Sequence, residues 1–122
     1  MPTNLSEAEW GVTHAPADAT QATISQAAVT GVRHYVTSIT CVLEGAANAA
    51  AVTFQLRDST TGAGNVLWTG KLANLANTVE VITLGGLNIE GVSGQAVTLE
   101  STGAPAAASS VVVSMTGYSV KA

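Results

Sequence analysis

The chain has 122 residues, of which 47% are hydrophobic and only 10% are charged, and its formal net charge is −4. This length suits one domain, and four scattered cations (Arg33, Arg57, Lys71 and Lys121) cannot build a basic patch for nucleic acid. A surface so poor in charge is weakly protected against association, so we expect an oligomer or a surface that is normally covered.

The N-terminus has no basic start followed by an apolar stretch, and no apolar run approaches the ~20 residues of a membrane helix. We therefore expect no signal peptide, no membrane partner, and synthesis in the host cytoplasm. The single cysteine, Cys41, excludes an internal disulfide and a multi-cysteine metal site. It lies in an apolar run, residues 39–43, which indicates a buried and unreactive thiol.

Residues 1–19 differ from the rest of the chain, since they hold three of the eight acidic residues and show no alternating pattern. We predict that they form an extended N-terminal arm, followed by a β-sandwich domain over residues 20–122. Ser6 and Glu9 have the spacing of a capping box, which permits a helical turn at residues 7–10. An arm with a large aromatic docks on its own domain or on a neighbour. We expect Trp10, with Glu9, Gly11 and Val12, to contact a partner.

From residue 20 onward the sequence has the pattern of strands. In residues 52–57 apolar and polar side chains alternate, residues 97–100 repeat this, and Val79 and Val81 flank Glu80. The stretches 32–44 and 109–120 are rich in Val, Thr, Ile and Tyr, which favour extended backbone. Turn-forming residues separate these runs, and the alanine-rich pieces 45–51 and 104–108 are predicted loops. The pattern predicts an all-β, antiparallel β-sandwich of the jelly-roll type with about eight strands.

The segment RDSTTGAGNVLWTG, residues 57–70, contains a Gly-x-Gly among polar side chains. A phosphate loop needs a following helix and usually a lysine, whereas this segment runs into a strand and has no lysine after the glycines. A calcium loop needs several carboxylates, and Asp58 is the only one in this segment. We predict a strand connector in which Asp58 bonds the backbone and Gly62 and Gly64 take positive φ.

No constellation of residues indicates catalysis. His14 and His34 lie on different segments without a second ligand at helical spacing, and no Gly-x-Ser-x-Gly motif is present. The acids of the β region are expected mostly at strand ends, as solvated carboxylates; they are Glu44, Asp58, Glu80, Glu90 and Glu100. We expect neither an enzyme nor a cofactor.

Four stretches of the chain together resemble a group of small all-β virion proteins of tailed bacteriophages: ATISQAAVTGVRHYVTSIT (22–40), VTFQLRDSTTGAGNVLWTG (52–70), LGGLNIEG (84–91) and VSMTGYSV (113–120). The resemblance rests on the Gly-Val-Arg-His entry to a long strand, the Arg-Asp turn before Leu-Trp, and the Gly-Tyr near the C-terminus. It implies a jelly-roll or similar sandwich of the capsid decoration or cement type, which binds the outside of the shell as a dimer or trimer. It implies no active site.

The expected function is therefore structural: a decoration or cement protein on the capsid surface of a phage virion. Its expected partners are the major capsid protein and further copies of itself. Two alternatives remain. One is a tail or head-fibre component. The other is a small carbohydrate-binding module, which needs an exposed aromatic platform. The candidates for such a platform in the β region are Trp68, Tyr35 and Tyr118, and of these Trp68 alternates with apolar neighbours, which indicates core packing instead.

Overall fold

The structure, a computed structural model, describes residues 7–45, 51–73 and 78–121, and this part of the chain forms β-strands without a helix. The strands are β1 (Glu7–His14), β2 (Thr23–Gln26), β3 (Val32–Gly45), β4 (Val52–Arg57), β5 (Val66–Leu72), β6 (Thr78–Leu84), β7 (Ile89–Glu90), β8 (Val97–Ser101) and β9 (Ser109–Lys121). The all-β prediction is confirmed.

The strands form two antiparallel sheets. Sheet A has the order β1-β9-β3-β6, with the short β7 also paired to β3, and sheet B has the order β2-β8-β4-β5. The two strand orders correspond position by position, and the two strands at each position are neighbours in the chain. The corresponding strands are β1 and β2, β9 and β8, β3 and β4, and β6 and β5. A chain that passes repeatedly from one sheet to the other in this way is a jelly roll, as predicted.

The core lies between the inner faces of the sheets. In β4, buried Val52, Phe54 and Leu56 alternate with half-buried polar residues, because successive side chains of a strand point to opposite faces. The long strands β3 and β9 supply most of the sheet A side.

A β-bulge shifts the alternation within β3. Val36 pairs with Gly117 and Ser38 with Thr116, so Thr37 is an extra residue. Before the bulge His34 and Val36 are buried, and after it the buried residues are the odd-numbered ones from Ile39. The bulge explains why no single alternation runs through residues 32–44.

The N-terminal segment belongs to the sandwich. Residues 7–14 form β1, an edge strand of sheet A, and all eight pair with β9. The prediction of a helical turn at residues 7–10 is wrong, because β9 offers a full ladder of backbone partners, which a single helical turn cannot match. The predicted arm is extended, and its described strand docks on its own domain. The division at residue 20 stays a prediction.

The alanine-rich stretch at residues 104–108 is a loop, as predicted, with Pro105 buried and Ala108 at a φ of 61°. Residues 46–50 of the other predicted alanine-rich loop lie outside the described residues.

Candidate interaction surface

The loop at residues 58–65, hereafter the 58–65 loop, connects β4 to β5 as predicted. The Asp58 carboxylate accepts a hydrogen bond from the Asn65 backbone N–H at 2.7 Å, and the Asp58 N–H donates to the Asn65 carbonyl at 3.1 Å. Gly62 and Gly64 have φ values of 71° and 73°, where a side chain would be strained. The loop is a closed turn held by Asp58.

The 58–65 loop also covers β8 on the outer face of sheet B. The Thr98 hydroxyl on β8 donates to the Ser59 carbonyl at 2.7 Å, and the Thr61 and Thr23 hydroxyls are 2.8 Å apart. As a result every residue of β8 is buried, on both faces of the strand. The part of this face that β8 forms is therefore covered by the chain itself.

Two of the acids that were expected to be solvated are buried under this loop. Glu100 is 3% exposed and Asp58 is 6% exposed. The Glu100 carboxylate accepts from the Gly62 N–H at 3.1 Å and lies 3.7 Å from the Arg57 guanidinium. The expectation was wrong for these two because strand alternation does not show where a loop folds back onto a sheet. Glu44 and Glu90 are exposed as expected.

The histidines have structural partners. His14 Nδ1 accepts from the Thr23 backbone N–H at 3.1 Å. His34, which is 1% exposed, bonds the Ala27 carbonyl through Nε2 at 2.8 Å and the Ser119 hydroxyl through Nδ1 at 2.6 Å. Since a carbonyl only accepts, Nε2 carries a hydrogen, and in the neutral ring Nδ1 then accepts from Ser119.

No three metal-binding side chains come together in the described ranges. The same ranges hold no helix of the length and apolarity that crossing a membrane requires.

Trp10 and Trp68 close the two sides of the sandwich. Trp10, on edge strand β1, lies over Gly117, donates to the Ser119 hydroxyl at 3.0 Å, and meets the His34 ring edge-on at a centroid distance of 6.0 Å. Trp68, on edge strand β5, lies over Gly70 in the same manner and packs against the core. Trp68 thus packs against the core, as its alternation indicated.

The four predicted contact residues divide between the two faces of β1. Trp10 and Val12 are half-buried and pack against the core, whereas Glu9 and Gly11 are exposed. A shallow groove of about 510 Å³, hereafter the β1 groove, opens along this strand. Its lining residues are Glu9, Trp10, Gly11, Thr37, Thr116, Gly117 and Tyr118. The predicted contact residues Glu9, Trp10 and Gly11 thus line this groove together with residues of β3 and β9, which the sequence did not indicate.

The outer face of sheet A is formed by side chains in register across its strands. Its three central rows carry no charge: Val81–Val42–Val112, Thr83–Thr40–Ser114–Thr13, and Ser38–Thr116–Gly11. A fourth row holds Tyr35 and Tyr118, whose rings stack at a centroid distance of 4.9 Å. Glu9 and Glu90 flank the tyrosines at the margin of the face.

Several hydroxyl groups of this face bond one another. Thr13 donates to Ser114 at 2.9 Å, and Thr37 and Ser38 both bond Thr116, at 3.1 and 2.5 Å. Burial of a hydroxyl costs free energy chiefly when its hydrogen bond is lost. This polar surface can therefore be covered at a low desolvation cost.

No protein-family model matches the chain, and no curated protein sequence is significantly similar to it. Among solved structures, the chain is similar to the cyanophage Pam1 capsid asymmetric unit, at 15% identity and a TM-score of 0.42, over 97% of this chain and 89% of that one. It is also similar to a Bacillus endospore appendage protein of a disulfide-linked pilus family, at 15% identity and a TM-score of 0.38, over 94% and 86%. It is also similar to the tobacco streak virus coat protein, at 7% identity and a TM-score of 0.34, over 94% of this chain and 89% of that one. Similarities at this level carry no functional argument.

Proposed function

We propose that the protein is a structural component of a phage virion, a decoration or cement protein that binds the outer surface of an icosahedral head. Its partner would be the major capsid protein, and it would stabilise the head by joining neighbouring shell subunits. The sequence resemblance to small phage virion proteins supports this proposal, and the surface of the sandwich supports it independently.

The observation that carries the proposal is the uncharged centre of the outer face of sheet A. The 58–65 loop covers β8 in sheet B, whereas the three central rows of sheet A hold Val, Thr, Ser and Gly and carry no charge. The chain has a net charge of −4, and of its charges on this face, Glu44, Glu9 and Glu90 lie in the rows on either side of the centre. An uncharged centre with a charged rim suits a protein partner. The β1 groove, with Glu9 and Gly11, lies on the same face and supplies a notch for a partner side chain.

Multivalency explains how such a surface would hold a shell together. Each contact is modest, but an oligomer that engages several shell subunits detaches only when all contacts open at once. A dimer or trimer would sit on a local symmetry axis of the head. Stabilisation of the shell then follows from many copies, each linking adjacent subunits.

The test is co-sedimentation of purified protein with purified heads that lack it. We expect Thr40→Lys, at the centre of the outer face, and Gly11→Gln, in the β1 groove, to weaken binding at least tenfold. Thr60→Lys and Gly103→Gln, on loops outside sheet A, are matched controls that should bind like the wild-type protein. Binding that survives both sheet A variants would show that this face does not meet the shell.

A further inference from the structure

One acid of the β1 groove has no cationic partner. A row of side chains runs across this end of the outer face of sheet A, in the order Glu90, Tyr35, Tyr118 and Glu9. The Glu90 carboxylate binds the Arg33 guanidinium at 2.7 Å. Glu9 lies at the opposite end of the row, is exposed, and forms no salt bridge within the described ranges. The groove therefore has a negative charge that no cation of the described chain neutralises.

Two of the side-chain donors that line the groove are already used inside the protein. The Trp10 indole N–H donates to the Ser119 hydroxyl at 3.0 Å, and the Tyr118 hydroxyl donates to the Asn88 side-chain oxygen at 2.8 Å. Tyr118 is also stacked on Tyr35, with an angle of 7° between the ring planes. Because the stack and the hydrogen bond fix the Tyr118 ring, it offers an occupant a preorganised ring face but no donor.

The hydroxyl groups of the groove form a chain. Thr37 and Thr116, which line the groove, bond each other at 3.1 Å, and Thr116 also bonds Ser38 at 2.5 Å. Each hydroxyl has one hydrogen and two acceptor lone pairs, so these bonds use most of the hydrogens and few of the lone pairs. The ionised carboxylate of Glu9 only accepts. The side chains of the groove thus present acceptors and a negative charge, and a complementary occupant supplies donors and a positive charge.

We propose that the β1 groove binds an arginine side chain of the major capsid protein, an inference that rests on the proposed function. A guanidinium group carries a positive charge and a planar set of N–H donors, and it has no acceptor. Its edge donates to the Glu9 carboxylate while its plane stacks on the Tyr118 face that Tyr35 leaves free, within the ~6 Å over which a cation is attracted to an aromatic ring. The groove, of about 510 Å³, has room for this side chain.

Two other occupants fit this lining less well. A saccharide hydroxyl both donates and accepts, and in this groove it would find few side-chain donors. A lysine ammonium satisfies the charge, but it is a compact point charge without a plane that stacks on Tyr118. Arginine is also among the residues that are enriched at protein interfaces and in their energetically dominant contacts.

The first experiment tests the groove alone, by NMR titration of the full chain with N-acetyl-arginine amide. The backbone amide signals of Gly11 and Thr116 should shift and saturate. N-acetyl-citrulline amide has nearly the same shape without the charge, so its dissociation constant should be about threefold higher or more. Glu9→Gln should weaken binding of the arginine probe by a similar factor. Glu44→Gln, at an exposed acid of the same face outside the groove, is the matched control and should bind like the wild-type protein.

The second experiment is co-sedimentation with purified heads that lack the protein. We expect Glu9→Gln to weaken head binding about tenfold or more, since every engaged copy loses the same contact, and Glu44→Gln to leave it unchanged. Tyr118→Phe keeps the aromatic ring and should bind within about twofold of the wild-type protein, whereas Tyr118→Leu removes the ring and should bind about tenfold more weakly.

The proposal would be overturned if the Gly11 and Thr116 signals did not shift up to about 100 mM of the arginine probe, or if citrulline bound equally well. Tighter binding of methyl glucoside than of the arginine probe would overturn it in favour of a sugar site. Heads that bind Glu9→Gln as tightly as the wild-type protein would overturn it and leave the proposed function standing. Selective binding of the arginine probe by a protein that does not bind heads would remove the proposed function and the capsid as the source of the arginine, while the preference of the groove would stand.

Discussion

Gly117 shows how one residue fixes the position of an edge strand. A side chain at this position would collide with the Tyr35 carbonyl oxygen and with the Trp10 ring. The absence of a Cβ lets the Trp10 ring approach the backbone of β9 at Gly117, and this brings the indole within reach of Ser119 and His34. The docking of β1 therefore depends on a glycine that is not in β1.

We predict that Gly117→Ala destabilises the protein by about 2 kcal/mol or more, because neither the carbonyl nor the indole can move without loss of packing. For a chain of this size that loss lowers the melting temperature by about 8 °C, measurable by circular dichroism. Gly11→Ala is the control, since its Cβ would make only ordinary contacts, at 3.6 Å from the Thr116 methyl and 3.9 Å from the Met115 carbonyl oxygen. Equal melting temperatures for the two variants would contradict this role of Gly117.

Cys41 carries a pH prediction. Burial raises the pKa of the Cys41 thiol from its ordinary value of 9.0 to about 12. In the unfolded chain the thiol ionises near pH 9, so its contribution to stability is complete below that pH and is lost as the pH rises from about 9 to about 12. We expect chemical unfolding between these pH values to show a steeper loss of stability in the wild-type protein than in Cys41→Ala.

The same burial makes the thiol unreactive. A thiol-specific reagent at pH 8 should label the denatured protein at once and the native protein only as fast as it opens. Rapid labelling of the native protein would refute the burial of Cys41.

At the scale of elements, the 58–65 loop both turns the chain and covers β8 in sheet B. We predict that Asp58→Ala costs about 1–2 kcal/mol, because the Asn65 N–H loses its carboxylate acceptor and the turn opens. The hydrogen-exchange rates of the Gly62 and Thr98 amides should then rise. The control variant Thr60→Ala, at an exposed position of the same loop, should leave both rates unchanged. If the exchange rate rises at Asn65 alone, Asp58 does not keep the loop in place over β8.

The strands that sequence reasoning located best are those with strict alternation. Residues 52–57 and 97–100 were predicted because one face is apolar and the other polar. The alternation of Val79 and Val81 around Glu80 also predicts a strand, but it does not show that the valines face outward. In the structure Ile82 and Leu84 pack against the core, and the two valines lie on the outer face. Pairing with β3 decides which face of β6 is buried, and periodicity alone carries no information about that pairing.

At the scale of the whole molecule, two of the four cations lie beside an acid, one at the margin of sheet A and one under the loop on sheet B. Arg33 pairs with Glu90 at 2.7 Å at the end of the tyrosine row, and Arg57 lies beside buried Glu100. The low charge of the sequence indicated that some surface is covered, but the position of that surface depends on the register of four strands. The groove and the uncharged rows combine residues more than 100 positions apart, such as Gly11 and Thr116. No local pattern brings such residues together, so the candidate surface was not predictable beyond Glu9, Trp10, Gly11 and Val12.

The central claim is that this jelly roll is a structural protein of a phage head, and its copy number per virion tests that claim most directly. Quantitative mass spectrometry of purified particles gives the ratio of this protein to the major capsid protein. We predict a simple ratio and hundreds of copies per particle, as a protein bound at repeated sites of an icosahedral shell requires. A handful of copies would place it in a tail or fibre, and its absence from the particle would contradict the claim.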